Sequence, residues 1–152
     1  IRLHSNYYNP YGHIVSKQIK KILSLGHEVG LHTEFYDYAK IQDLAPEKVF
    51  GDELNILETI LGQKVRSFSL HRTTGSSTIE ALKISIASIK EKYSVIDAYD
   101  VNFTENIKYI SDSSGFWREG NPLNFTGMKN IQILTHPDWW YENYIELEEP
   151  LI

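Results

Sequence analysis

The chain has 152 residues, enough for one domain with a sizeable core, and 41% of them are hydrophobic, which argues against disorder. A formal net charge of -5, with no local run of Lys and Arg, leaves no electrostatic footprint for a nucleic-acid partner. The absence of cysteine excludes disulfides, thiolate nucleophiles and Cys-based zinc sites, and no apolar stretch approaches the roughly 20 residues of a membrane span.

Residues 1–5 alternate apolar and polar side chains and read as a strand, followed by a loop of turn formers over 6–12. Arg2, His4 and Asn6 interrupt any apolar leader, so this opening is not read as a signal peptide. Because Ile1 stands in what reads as mid-strand, the expectation is that the natural N-terminus lies upstream. Ile14, Ile19, Ile22 and Leu23 recur at helical spacing over 13–25, with Lys17, Lys20 and Lys21 on the other face and Gly26 as the stop. The stretch Gly26-His27-Glu28-Val29-Gly30-Leu31-His32-Thr33-Glu34 then reads as a buried strand over 27–33 that delivers His32, with Glu34 beside it, to a polar pocket. A long polar and aromatic loop is expected over 34–46.

Pro46 suits a first helical turn, and Phe50, Leu54, Leu57 and Leu61 mark a second helix that Gly62 closes. A strand over 65–70 ends in His71-Arg72. Ile79, Leu82, Ile86 and Ile89 place a third helix within 76–92, and a short strand is read over 94–98. Residues 107–111 form a strand that exits into Asp112-Ser113-Ser114-Gly115-Phe116-Trp117. The last clear strand, 131–135, ends in His136-Pro137, and a helix is expected to begin within 138–144.

Strands alternating with amphipathic helices argue for an α/β fold of parallel βαβ units. His4, His32, His71, Asp112 and His136 each fall at the downstream end of a separate strand. In a β/α barrel such ends converge on one face, where active sites are built; in an open doubly wound sheet they line one edge. A single strand-end histidine is more often a hydrogen-bonded structural residue than a ligand, so the weight lies on the set of five. Hydrolytic zinc takes about three protein ligands and an open position, and without cysteine those ligands have to be His and carboxylate.

The stretch from Gly26 to His32 resembles the second motif of the polysaccharide deacetylase family, in which a Gly-His-Glu run leads to a metal-binding histidine. Ile133-Leu134-Thr135-His136-Pro137 is similar to that family's last motif, whose histidine is the general acid, and His71-Arg72-Thr73-Thr74-Gly75 resembles the intermediate motif, whose arginine orients a catalytic aspartate. The resemblance implies an incomplete (β/α) barrel of the distorted glycoside hydrolase/deacetylase type, spanning 1–152 as one domain that lacks its N-terminal strand or strands. It also implies a divalent metal, zinc, with His32 as ligand, His136 and Arg72 in catalytic roles, and a carbohydrate as substrate. Asp112 and Trp117 correspond to the family's aspartate and tryptophan region, Asp112 as a catalytic residue and Trp117 as a sugar contact; a capped turn beside a packed aromatic explains them equally well. His4 and His71 are read as contacts to sugar hydroxyls or as strand caps, and Tyr7, Tyr8, Trp139 and Trp140 as further candidates for stacking on sugar rings.

Three positions depart from the family pattern. Thr73 replaces the proline of the arginine motif, and Tyr36 stands where a second histidine follows the first by four residues, with Glu34 and Asp37 as substitutes. Nothing before His32 matches the motif that supplies an aspartate base and an aspartate ligand, so the chain is expected to begin after that strand and to be inactive alone. The leading reading is a metal-dependent deacetylase releasing an N- or O-acetyl group from a sugar. The alternatives are a metal-free carbohydrate-binding or scaffold domain of the same fold, and an unrelated metal-dependent hydrolase of the amidohydrolase kind.

Overall fold

Among the described residues, five helices and five short strands form where apolar side chains recur at helical spacing or alternate, and most of the helices end where glycine or a left-handed residue turns the chain. The computed structural model describes residues 1–71 and 79–139. The chain divides into two compact units, one of residues Ile1–Ala98 and one that starts at Tyr99.

In the first unit, α1 (His13–Ser24) buries Ile19, with Val15 and Leu23 packed one turn to either side. Ile14 and Ile22, expected on the packed face, are exposed. Gly26 follows with φ +84, the left-handed turn in which glycine escapes a Cβ penalty. β1 is shorter than the expected 27–33, running Leu31–Thr33, with Leu31 and Thr33 buried and His32 half-buried between them. The expected loop after it is a helix instead, α2 (Phe35–Gln42). Thr33 Oγ1 accepts from the Phe35 N–H at 2.9 Å at its start, Phe35 and Ala39 bury one stripe, and Asp43 in the left-handed region ends it.

α3 (Pro46–Leu61) begins with proline and ends at Gly62, as its sequence dictates, and buries Phe50, Leu54, Leu57 and Leu61. β2 (Ser67–Leu70), α4 (Ile79–Tyr93) and β3 (Ile96–Asp97) complete the unit. The strands pair in parallel in the order β1-β2-β3, with His32 opposite Ser69. The expected first strand is reduced to one pairing: Ile1 N donates to Gly30 O at 2.6 Å and Ile1 O accepts from His32 N at 2.8 Å, a parallel bridge on the free edge of β1. Within a mostly aliphatic core lies an aromatic cluster: Phe50 meets Phe35 edge to face at 5.6 Å and Phe68 at 5.1 Å, which ties α2, α3 and β2 together.

In the second unit, α5 (Val101–Thr104) is capped by Asp100, whose side chain accepts from the Asn102 N–H. β4 (Lys108–Ser111) and β5 (Ile131–Leu134) pair in parallel from Lys108↔Ile131 to Ser111↔Leu134. Their connection carries 3-10 turns at Ser113–Gly115 and Pro122–Phe125, and another at Pro137–Trp139 follows β5, where a longer helix was expected. The rest of that expected helix and Arg72 lie outside the described residues. The fold is mixed α/β with small parallel sheets, and among the described residues no helix is long and apolar enough to cross a membrane.

Candidate functional site

Parallel register at the ends of β1 and β2 brings four polar side chains together. His32 Nδ1 lies 2.8 Å from Ser69 Oγ, and its Nε2 lies 2.9 Å from His71 Nδ1 with the rings edge to face. His71 Nε2 lies 3.7 Å from Glu34 Oε1. Arg2 holds Glu34 in turn, its Nη2 reaching the two carboxylate oxygens at 3.0 and 2.8 Å. The contacts run in one row from Ser69 through His32 and His71 to the Glu34 carboxylate. Burial of the His32 ring, followed by the charges of His71, the Ile1 amino group and Arg2, lowers its pKa from 6.5 to about 4 against an opposing hydrogen bond to the Ser69 backbone, so the ring is neutral at pH 7.

His4 does not join this row. It stacks on Tyr38 at 3.6 Å, and its Nε2 lies 2.9 Å from Glu53 Oε1. Glu53 is 3% exposed on α3 and also accepts the Thr33 hydroxyl. Burial pushes the Glu53 carboxyl up, and the bonds from Thr33 and His4 only partly offset that. Glu53 was readable in the sequence: it falls on the buried stripe of α3 between Val49 and Leu57, where a charge needs a partner.

The second cluster is a pair. Asp112 and His136 emerge from the ends of β4 and β5, and Asp112, 4% exposed, accepts the His136 backbone N–H at 3.0 and 2.9 Å through its two oxygens. Its Oδ1 lies 2.5 Å from His136 Nδ1. Burial alone would raise the Asp112 carboxyl, but the bonds from the His136 peptide and ring and the charge of that ring outweigh it and hold the pKa below the usual carboxylate value. With Nδ1 engaged, the His136 ring keeps Nε2 for a reacting group, and its side chain is 41% exposed. Trp117 is half-buried a few residues from Asp112, and its carbonyl accepts from the Gly120 N–H at 3.1 Å.

The fit to a metal is incomplete. Two nitrogens bound to tetrahedral zinc at about 2.0–2.1 Å stand roughly 3.3 Å apart, whereas His32 Nε2 and His71 Nδ1 are 2.9 Å apart, a hydrogen-bond separation. Among the described residues, however, no group of three His, Asp or Glu side chains is placed to hold a metal. Glu34 is engaged by Arg2, and Tyr36 lies under Lys40, whose Nζ is 4.6 Å from the ring centre. The described residues therefore do not complete a zinc site by themselves.

No protein-family model matches the chain, and neither a curated protein nor a solved structure does.

Proposed function

We propose that the chain belongs to a hydrolase of the polysaccharide deacetylase type, built on a distorted, incomplete (β/α) barrel, that removes an N- or O-acetyl group from a sugar. The Asp112–His136 pair carries this reading. A buried carboxylate bonded to Nδ1 fixes the ring orientation and leaves Nε2 as the ring nitrogen to serve a departing amine or alkoxide. Arg72, which the family resemblance assigns to orienting a base, and zinc, with His32 as ligand, belong to the same reading, although the described residues do not complete the coordination.

The test, made on the whole protein, is acetate release from N-acetylglucosamine oligomers and from an O-acetylated xylan, with and without added zinc. His136→Ala is expected to lower release by roughly 10²–10⁴-fold with the fold retained. An unchanged rate in that variant overturns the reading.

A metal-free carbohydrate-binding or scaffold domain is favoured by one observation: both ring nitrogens of His32 already face protein partners, Ser69 and His71. That reading expects saccharide binding without acetate release, and no zinc retained after dialysis.

A further inference from the structure

α1 carries an apolar stripe that the core does not use. Ile14, Ile22 and Leu25 are 72%, 40% and 60% exposed, while the residue this helix buries is Ile19. Leu25 continues the last turn, its N–H bonded to the Lys21 and Ile22 carbonyls at 3.2 Å. At about 100° per residue, Ile14, Gln18, Ile22 and Leu25 fall within about 80° of arc and span about 16 Å, with Ile19 beyond them on the packed side. Lys21 and Lys17 border the arc on its other side, and Lys20 lies farther round. All three lysines are exposed, as are Tyr7 and Tyr11 in the loop that leads into the helix.

Charge is segregated in the same place. Residues 1–27 hold Arg2, Lys17, Lys20 and Lys21 and no Asp or Glu, so the rest of the chain has 11 basic residues against all 20 acidic ones, a net charge of -9. Arg2 is engaged by Glu34, which leaves the lysines of α1 as the outward charge of this region.

We propose that this face of α1 is a docking surface for an anionic lipid bilayer, with the helix lying in the interfacial plane. Aliphatic side chains along one stripe and lysines on its flank match a surface that is apolar inside and negative at its rim. The lysine stems lie along the apolar stripe while their ammonium groups stay at headgroup level, and tyrosine favours the same boundary. Charges more than about 10 Å away are screened at about 0.1 M salt, so the acidic remainder of the chain does not cancel the attraction. An acidic peptide would pair with the lysines and leave Ile14 and Leu25 in water. A polyanion such as heparin likewise offers no apolar interior, and three lysines alone do not hold it at about 0.1 M salt. This inference does not rest on the hydrolase reading, and each stands if the other fails.

The test is flotation of the whole protein with vesicles of phosphatidylcholine alone and with about 30% phosphatidylglycerol added, at about 0.1 M salt. Binding is expected on the anionic vesicles, and weaker by about tenfold or more on the neutral ones. Ile14→Gln combined with Leu25→Gln is expected to weaken anionic binding by about tenfold or more. Lys17→Gln combined with Lys21→Gln is expected to remove most of the preference for anionic lipid and its salt dependence. Because the chain has no cysteine, Gln18→Cys accepts a single environment-sensitive dye, and its emission is expected to shift to the blue on anionic vesicles. The same dye on Ala87→Cys, an exposed position of α4, is expected not to shift. The dye measurement keeps the test decisive if a double variant does not fold. No binding to anionic vesicles, wild-type binding after the Ile14 and Leu25 changes, or a shift at Ala87→Cys without one at Gln18→Cys overturns the proposal. So does binding of polyglutamate with none to vesicles, which would assign the lysines to an acidic protein.

Discussion

Asp112 and His32 both change charge at acidic pH, and both make acid destabilising. A carboxylate whose pKa is lowered by folding contributes stability that is present above its unfolded value, near 3.8, and is lost as the pH falls through the lowered folded value. Asp112→Asn removes this contribution and leaves the His136 ring without its charged partner. On the proposed deacetylase function, acetate release by the whole protein is expected to fall by roughly 10²–10⁴-fold in that variant, measured beside circular dichroism to show that the fold persists. For His32 the folded state favours the neutral ring. Above pH 6.5 folding carries no proton penalty there; between 6.5 and about 4 the unfolded chain binds the extra proton, so stability falls as the pH falls. At about 1.4 kcal/mol per pK unit the loss is on the order of 3 kcal/mol at most. Urea midpoints taken between pH 4 and 7 should slope upward in the wild type and flatten in His32→Gln; equal slopes would contradict the lowered pKa.

The elements test the packing. Gly30 precedes β1 beside Ser67, where an added Cβ would stand 2.6 Å from Ser67 Oγ and 2.9 Å from Ser67 O. A hydroxyl can rotate away but a backbone carbonyl cannot, so Gly30→Ala should destabilise the first unit by about 1–3 kcal/mol, read as a lower thermal midpoint. Phe50, 0% exposed among Phe35, Phe68 and Tyr93, should cost about 3–5 kcal/mol on replacement by alanine, read by urea denaturation. The same elements show what the sequence made legible. α3 is plain because its proline, its apolar stripe and Gly62 agree with one another. α2 is not, because its eight residues are aromatic and polar, and what makes them helical is the burial of Phe35 and Ala39 together with the Thr33 side chain, both of which come from tertiary structure. In α1 the periodicity was right, but the buried stripe centres on Ile19 rather than on Ile14 and Ile22.

For the molecule as a whole, strand ends were the productive signal. The pairs His32–His71 and Asp112–His136 follow from parallel strands in register, and the sequence announces each strand by its alternation. It could not announce Ser69 beside His32, or Arg2 beside Glu34, because those contacts depend on which strand neighbours which. A net charge of -5 sets a further expectation: the chain should pass a heparin column unretained at about 0.1 M salt, and retention would reveal a basic surface that the composition does not suggest. Among the described residues all the strand pairings are parallel, so no hairpin there offers a short route to the sheet. His32 meets Ser69 across 37 positions of chain, and Asp112 meets His136 across 24. The closure entropy of those loops has to be overcome before register is won, whereas the contacts between α2 and α3 are close in sequence and cheap to form. During refolding, helical signal therefore precedes the histidine pairs, and a chain arrested midway has its secondary structure but none of its candidate chemistry.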